Sequence, residues 1–337
     1  MRWSNFVARR LGASVLVLFG TTLVAFVLTH IVPSNPGATV LGLQATPQEI
    51  AAYNRRFGLD LPVYEQYWHY LDGLVHGNLG LSFQSGNPVI DDLKTYIPPT
   101  IELALAAMIM AGVFGVTLGT LAALRYGRPL DSSIRVLSLG GLAAPSFWLG
   151  LIAFYWLYFK LGWLPGTGQL GATLTPPRDI TGAYVFDSLL TGNWADLWSS
   201  LTHLVMPAGI LAIAAGAFIT RVTRATVLEV LATDYVQMAR AKGLSPSRVL
   251  FSYVLRAAAI PIITLSGVIF GRLLSGTVLI EAIFSWGGLG QYAYESAQVL
   301  DINAIVGVTL FVACVFIVIN FVVDIVVGVI DPRVRAS

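Results

Sequence analysis

The sequence predicts an all-α, polytopic membrane protein, and three observations support this fold class. Of the 337 residues, 56% are hydrophobic and only 11% are charged, whereas a soluble globular domain carries about 25% charged residues. Six stretches are long and apolar enough to cross a bilayer, which takes about 20 residues per helix. Lysine and arginine are concentrated in alternate connecting segments, the pattern of a multi-pass protein. Most of the chain is therefore expected to be solvated by lipid.

The six predicted spans differ in strength, and the fourth is the weakest because it is rich in alanine and glycine and contains Pro207. In chain order they are Leu11–Val32, Ile101–Leu124, Val136–Phe159, Leu201–Thr220, Ala257–Glu281 and Asn303–Ile330. The first stretch follows three arginines, as a secretory signal would. Its apolar core is too long for a signal and no small-residue cleavage site follows it, which favours a retained anchor helix.

The distribution of basic residues predicts the orientation. With the N-terminus in the cytoplasm, four basic residues lie outside: Arg55, Arg56, Lys94 and Arg178. Fourteen lie inside: Arg2, Arg9, Arg10, Arg125, Arg128, Arg135, Arg221, Arg224, Arg240, Lys242, Arg248, Arg256, Arg333 and Arg335. Both termini are therefore predicted to be cytoplasmic.

This orientation divides the chain into three predicted parts. Residues 1–32 form a cytoplasmic segment and the first span, residues 33–100 an extracytoplasmic region of helical and irregular pieces, and residues 101–337 the core of five spans. Within the extracytoplasmic region, Thr46 is placed to cap a helix with Pro47 in its first turn. This region either forms an outer cap that meets a partner or is plain connecting loop.

The segment Arg221–Arg256 between spans four and five is too long for a simple turn and predicts two helices separated by a break. Val227, Leu231, Tyr235 and Met238 follow helical spacing along one face of the first helix.

The break itself has the residues of a helix end followed by a helix start. Lys242 suits a last turn, and Gly243 is placed to terminate the first helix. Ser245 can cap the second helix, with Pro246 at its first position. The pattern alone is equally typical of an amphipathic helix on anionic lipid and of a docking surface for a soluble partner.

The sequence holds no motif for nucleotide chemistry and few candidates for other chemistry. A P-loop needs a Gly-Lys pair, and none of Lys94, Lys160 and Lys242 follows a glycine. Energy for any work must then come from a partner or an ion gradient. The sole cysteine, Cys314, can form neither an internal disulfide nor a cysteine metal cluster, and its apolar neighbours predict a small buried side chain. The four histidines lack metal-ligand spacing.

Charges inside predicted spans are default functional candidates. Glu102 and Glu281 fall near span ends, where an interfacial position would explain them. Arg272 and Asp324 fall deeper and could pair between spans five and six. A structural pair or subunit contact is favoured over lining of a pathway, because a lone charge in lipid is costly.

Small residues in two spans predict close helix approach. They are Gly112, Gly115 and Gly119 in span two, and Gly267 and Gly271 in span five. Packing alone explains them; glycine faces that slide against a neighbour are the alternative.

The segment Asp234–Pro261, DYVQMARAKGLSPSRVLFSYVLRAAAIP, resembles the cytoplasmic EAA loop of bacterial ABC-importer permeases. The central glycine of that motif matches Gly243, and its last small residue matches Ala239. The chain departs from the general motif at Gln237, Met238 and Tyr253–Arg256. These departures resemble the peptide-importer branch, where A-R-A-K-G-L is usual.

Further segments resemble that branch in the same order along nearly the whole chain. They are Gly58–Phe83, Pro98–Leu105 (PPTIELAL), Ala144–Leu151 (APSFWLGL), Leu161–Gly168 (LGWLPGTG), Gly276–Gln291 (GTVLIEAIFSWGGLGQ) and Asp331–Arg335 (DPRVR). Gly287 stands where proline is usual. Together the segments are similar to the B-type permease of dipeptide and oligopeptide importers.

The resemblance implies a six-helix permease of the type I importer kind in the bacterial plasma (inner) membrane. It also implies a heteromeric assembly with a second homologous permease, two cytoplasmic ATPase subunits and an extracytoplasmic solute-binding protein. ATP and Mg would be bound by the ATPases, and this chain would hold no cofactor, metal or catalytic residue. The net charge of only +2 gives no reason to expect a nucleic-acid partner.

The resemblance further assigns ATPase coupling to the loop 221–256. The residues implied are Asp234, Ala239, Arg240, Ala241, Lys242, Gly243, Leu244 and Arg248. Arg240 and Lys242 either pair with acidic groups of an ATPase or only reflect the positive-inside bias.

The implied cargo is a di- or oligopeptide, with nickel, glutathione or another small solute as alternatives within the branch. Two other classes of membrane protein require features that this sequence does not show. An intramembrane enzyme needs a deep nucleophile–base or metal constellation, and His203 has no evident partner for one. A secondary transporter needs a coupling-ion site and usually internal symmetry, and no inverted halves are visible.

Overall fold

The computed structural model describes residues 3–31, 46–56 and 60–330, and these residues are mostly helical. The β contact seen among them is an isolated antiparallel bridge between Leu81 and Pro88. The predicted all-α class is confirmed. The helices are α1 (Trp3–Ile31), α2 (Pro47–Arg56), α3 (Val63–Val75), α4 (Val89–Leu124), α5 (Pro129–Ala143), α6 (Ser146–Ala153), α7 (Tyr184–Thr191), α8 (Trp194–Leu231), α9 (Asp234–Ala241), α10 (Pro246–Val249), α11 (Leu255–Gly276), α12 (Val278–Phe284), α13 (Leu289–Gln298) and α14 (Ile302–Ile330).

Four helical stretches of the described residues are long and apolar enough to cross a membrane. They are Val89–Leu124, Trp194–Leu231, Pro246–Leu274 and Ile302–Gly328. The apolar part of α1, Gly12–Val27, is shorter. Several helices extend beyond the apolar stretch that predicts them, since a helix continues wherever its backbone hydrogen bonds can form, whether or not its side chains are apolar.

The third predicted span, Val136–Phe159, is wrong as a single straight helix. The helices α5 and α6, with a π-helical continuation over Phe154–Lys160, meet at an angle of 99°. Ala144 and Pro145 between them are extended, with ψ angles of 125° and 131°. A proline disfavours helical geometry in the residue before it, which is the physical reason for the break. Counting the bent pair as one span gives five, so the predicted count of six is not matched exactly by length and composition.

The fifth predicted span, Ala257–Glu281, also ends differently. The helix α11 stops at Gly276, and Glu281 belongs to the separate short helix α12.

At the other end of the core, the predicted domain boundary at residue 100 falls inside α4, which contains both Pro98 and Pro99.

The described residues form two compact units. The first comprises residues 3, 97–291 and 318–330. Its central helix is α8, which packs against α5, α7 and α11. A side chain added at Gly115 of α4 would lie 2.7 Å from Ile219 of α8, and one at Gly119 would lie 2.6 Å from the carbonyl oxygen of Thr220. These two glycines therefore permit the close approach of α4 and α8 that the sequence predicts.

Two other glycines named in that prediction differ in whether they lie at a close helix contact. A Cβ at Gly267 would overlap Val323 of α14, so this residue also lies at a close helix contact. Nothing lies within 4 Å of a Cβ added at Gly112, so the prediction is wrong for that residue. The single cysteine is a further correction: Cys314 is exposed on α14 rather than buried.

The second unit comprises residues 4–31, 46–56, 60–96 and 292–317. Helices α1 and α3 meet through Phe26 and Tyr67, whose ring centroids lie 5.1 Å apart. A buried hydrogen bond joins the segment around Ser82 to the start of α14: the Ser82 hydroxyl donates to Asp301 Oδ2 at 2.6 Å. The unit also confirms the predicted cap of α2, because Glu49 N donates to Thr46 Oγ1 at 3.3 Å.

Candidate functional site

The segment 221–256 is helical almost throughout, with two breaks. The helix α8 runs on to Leu231, and α9 begins at Asp234 after a short turn. After a second turn, α10 leads through the π-helical residues Leu250–Val254 directly into α11. The helix–break–helix form predicted around Gly243 is therefore present.

The first predicted helix of this segment needs a correction. Ala232 and Thr233 interrupt it, so Val227 and Leu231 end one helix while Tyr235 and Met238 lie on the next. The four residues do not share one face: Val227 is fully buried and Met238 is 57% exposed. The 3.6-residue spacing of the apolar side chains predicts one continuous helix here, because spacing alone does not reveal a short break.

The turn after α9 has the hydrogen-bond pattern of a Schellman motif. Leu244 N donates to Ala239 O at 3.3 Å, and Gly243 N donates to Arg240 O at 2.9 Å. Gly243 has a φ of +77°, a left-handed conformation that glycine adopts without steric cost. The predicted role of Gly243 as a helix-terminating residue thus has a geometric basis.

The start of α10 is fixed as the sequence predicts. The Ser245 hydroxyl accepts a hydrogen bond from Arg248 N at 3.4 Å, and Pro246 occupies the first helical position. The Ser245 cap of α10 lies two residues after Gly243, which closes the Schellman motif at the end of α9. The backbone between the two short helices therefore has little conformational freedom. The turn Lys242–Ser245 is therefore a rigid corner.

One face of the two short helices is packed into the protein. Val236 and Ala239 of α9 and Val249 of α10 are 0%, 4% and 3% exposed. They form one apolar cluster, which we call the loop core, with neighbours on α4, α8 and the start of α11: Ala123, Val227, Val230, Val254 and Ala258. The loop is thus joined by packing to the ends of three long helices.

The opposite face is exposed, basic and apolar. The remaining predicted coupling residues lie on it or at its edge: Asp234, Arg240, Ala241, Lys242, Gly243 and Arg248 are exposed, and Leu244 is half-buried. Large apolar side chains lie among them, including Tyr235, Met238 and Phe251. Such a rigid surface can contact a partner protein or a lipid headgroup layer without being reordered.

An ion pair with a buried carboxylate, which the sequence does not predict, joins the start of this segment to α5. Arg224 of α8 donates from Nε to Asp131 Oδ1 at 2.6 Å and from Nη2 to Asp131 Oδ2 at 2.9 Å. Gly127 N adds a hydrogen bond to Asp131 Oδ2 at 3.1 Å. The guanidinium also lies over the ring of Tyr126, 5.4 Å from its centroid. The side chain of Asp131 is 1% exposed and that of Arg224 is 18% exposed.

Glu102 and Glu281, which the sequence places near span ends, are both buried inside the protein. Glu281 accepts from the Thr100 hydroxyl at 2.7 Å, and its second oxygen accepts from Gly290 N at 2.7 Å and Gln291 N at 3.1 Å. Glu102 accepts from Val185 N at 2.8 Å, near the start of α7. Both carboxylates satisfy backbone donors at helix starts, a structural role that span-based reasoning does not anticipate.

The turn between α12 and α13 depends on this buried carboxylate. Trp286 is buried and donates from Nε1 to Pro99 O at 2.9 Å. Gly287 has a φ of +69°, which proline, fixed near −65°, cannot adopt. A proline could therefore not occupy position 287 with this backbone, whereas the glycine found there adopts it without steric cost.

The predicted pair of Arg272 and Asp324 stays a prediction. Arg272 is exposed on α11, and Asp324 is half-buried on α14. These helices approach closely at Gly267 and Val323; Val323 directly precedes Asp324, and Gly267 lies five residues before Arg272.

Comparison with known families supports a transport role. Residues 115–336 match the family described as binding-protein-dependent transport system inner membrane component, and residues 3–104 match its N-terminal family. The chain is 41% identical over 332 residues to the di/tripeptide transport system permease protein of Pseudomonas aeruginosa, covering 98% of each chain.

Two further relatives differ in cargo. The chain is 37% identical to the probable D,D-dipeptide transport system permease protein of Escherichia coli K12, covering 99% of this chain and 98% of the relative. It is 34% identical to the glutathione transport system permease protein of Escherichia coli O6:H1, covering 98% and 99%.

A solved structure shares the fold. A chain of the MetNI methionine ABC transporter, in an inward-facing conformation, superposes with a TM-score of 0.50 and 17% identity, covering 69% of this chain and 93% of that one. The architecture is thus that of a type I ABC-importer permease, as predicted.

Proposed function

The chain belongs to the family of binding-protein-dependent transport system inner membrane components, and from that premise we propose that it forms part of a membrane pathway for di- and tripeptides. It is a transport subunit of an ABC importer and not itself an enzyme. The relatives named for dipeptides or tripeptides, with 37% and 41% identity over nearly the full chain, support the peptide cargo.

The proposed assembly contains a second homologous permease, two cytoplasmic ATPase subunits and an extracytoplasmic solute-binding protein. ATP and Mg would be bound by the ATPases, whose hydrolysis would power uptake. The membrane would be the bacterial inner membrane, with both termini of this chain in the cytoplasm. The excess of basic residues in alternate segments supports this orientation.

The observation that carries the proposal is the rigid, two-sided loop around Gly243. Its inner face belongs to the loop core, while its outer face presents Arg240, Lys242 and Arg248 beside exposed apolar groups. A surface of this kind can take up force from an ATPase and pass it to the helices packed behind it. We assign ATPase coupling to the exposed face and to the Gly243 turn.

The test is reconstitution of the purified complex. The tagged chain is extracted in detergent, its co-purifying subunits are identified, and the complex is placed in vesicles with a labelled dipeptide and binding protein outside. We expect a second permease and ATPase subunits to co-purify, and uptake to require ATP at the ATPase side. Uptake that persists without ATP, or a chain that never associates with an ATPase, would refute the proposal.

Glutathione is the second candidate cargo, because a glutathione permease is 34% identical over 331 residues. Competition distinguishes the two: excess unlabelled glutathione should leave dipeptide uptake unchanged in the same vesicles. Strong inhibition by glutathione would favour the second candidate. Free glycine at the same concentration serves as the control for an unrelated small solute.

A further inference from the structure

The helices α5 and α8 are attached to each other at two places. A Cβ added at Gly141 of α5 would lie 3.1 Å from Ile213 and 3.5 Å from Ala217 of α8. The second place is the ion pair of Asp131 with Arg224. Ten residues of α5 and eleven of α8 separate the two places, or about 15 Å along each helix at a rise of about 1.5 Å per residue. Two contacts this far apart resist tilting of one helix against the other.

The ion pair is suited to a fixed attachment. Both carboxylate oxygens of Asp131 accept from the planar fork of Arg224, and a lysine could not reproduce that bidentate geometry. Gly127 N adds a third donor, and the ring of Tyr126 covers the guanidinium. Arg135 Nε also lies 3.7 Å from Asp131 Oδ1, but its side chain is 54% exposed and it does not make the bidentate contact. Opening the Asp131–Arg224 pair is costly because the carboxylate is only 1% exposed and would lose its two charged donors on α8.

The pair lies where the coupling loop joins the long helix. Arg224 precedes Val227, a member of the loop core, by one turn of α8. Asp131 lies in the first turn of α5, whose other end leads into the 99° bend at Pro145. A displacement of the loop core along α8 therefore reaches the bent pair α5–α6 through this contact.

We propose that the Asp131–Arg224 ion pair is a positioning contact that makes α5 move with α8, so that a shift of the coupling loop reaches the bent pair α5–α6. The inference rests on the proposed coupling role of the loop and extends it to two residues that lie outside the motif Asp234–Pro261. Both are positioning residues, which act through the helices that carry them.

The test separates coupling from assembly. Asp131→Asn, Arg224→Gln and Arg224→Lys are each purified in the reconstituted complex, and ATP hydrolysis and dipeptide uptake are measured on the same vesicles. We expect hydrolysis to continue while uptake per ATP falls about tenfold, the equivalent of losing one hydrogen bond to a charged group. Arg224→Lys keeps the charge without the fork and should lie between wild type and Arg224→Gln.

Arg128→Gln is the matched control. Arg128 is exposed, lies three residues from Asp131 and makes no capping hydrogen bond from its side chain, so the variant removes one positive charge from the same turn. Its uptake per ATP should equal that of wild type. A wild-type ratio in all three pair variants would overturn the proposed contact, whereas a wild-type complex without ATP-dependent uptake would overturn the coupling function itself.

A distance measurement gives a second readout that does not depend on uptake. Spin labels at positions 128 and 229, which are both exposed and lie outside the proposed ATPase-docking face, report in a Cys314→Ala background the separation of the α5 start from the end of α8. With the pair intact, the separation should stay constant between nucleotide-free and ATP-trapped complexes. It should change with nucleotide in Asp131→Asn. A separation that changes equally in both proteins would show that the pair does not hold α5 to α8.

Discussion

Gly243 has a backbone conformation that few residues tolerate and an exposed position on the basic face of the loop. Paired substitutions can test these two properties separately. Its positive φ demands a residue that tolerates the left-handed region, and nothing lies within 4 Å of a Cβ added there. Asparagine and aspartate both tolerate that region better than other side chains. They also have nearly the same size, so a comparison of the two tests charge at a fixed backbone.

We expect Gly243→Asp to uncouple ATP hydrolysis from uptake, because it adds a carboxylate directly after Lys242 on the basic surface proposed to meet an ATPase. Gly243→Asn should retain most of the uptake. The measurement is uptake per ATP in reconstituted vesicles. Normal uptake by Gly243→Asp would argue against docking at this turn.

Local signals predicted this corner and could not predict the ion pair beside it. Gly243, Ser245 and Pro246 act on backbone groups within a few residues, so their roles are visible in a short segment. Arg224 and Asp131 are separated by 93 residues, and each alone reads as an ordinary charge near a span end. Only the packing of α5 on α8 brings them together.

Among the helices, the contact of α4 with α8 offers a second test with an internal control. Gly115→Ala and Gly119→Ala place a methyl group against Ile219 and against the Thr220 carbonyl, and overpacking of this kind costs about 1–3 kcal/mol. Gly112→Ala meets open space and gains up to about 1 kcal/mol of helix propensity.

The expected result is a lower thermal unfolding temperature in detergent for Gly115→Ala and Gly119→Ala, with Gly112→Ala equal to or above wild type. Fluorescence-detected unfolding of the three variants and wild type under one detergent condition measures it. Equal stability of all three variants would show that the two helices part easily at these glycines.

At the level of the helices, hydropathy predicts the long spans but not their bends or their buried polar contacts. Windows of apolar residues located the long helices, because lipid and buried spans both require apolar side chains. They could not detect the bend at Ala144–Pro145, since both residues fit an apolar stretch and the constraint is one of backbone geometry. They also could not reveal that Glu281 is a buried acceptor of backbone hydrogen bonds.

For the whole molecule, the predicted orientation can be tested by labelling. In a Cys314→Ala background, single cysteines at positions 178 and 128 are both at exposed sites. A membrane-impermeant maleimide added to intact cells should label position 178 and leave position 128 unlabelled. Permeabilised cells should show both positions labelled. Labelling of position 128 in intact cells would contradict a cytoplasmic turn between α4 and α5.

At this scale the sequence was informative about class and family and weaker on boundaries. Composition alone indicated a lipid-solvated chain, and the order of several motifs indicated the importer permeases. The division into compact units was not foreseen, because residues 292–317 join the N-terminal part of the chain through contacts between distant segments. Sequence order gives no measure of such contacts.

The length of α8 has a mechanical consequence. Its 38 residues span about 57 Å at about 1.5 Å per residue, nearly twice the thickness of a bilayer's hydrocarbon region. From Pro207 to the end at Leu231 the helix measures about 36 Å. A rotation of about 5° at that proline would carry the far end about 3 Å, roughly half the pitch of a helix. The helix is thus a lever arm that converts a small change of angle at Pro207 into a displacement of a few ångströms at Leu231.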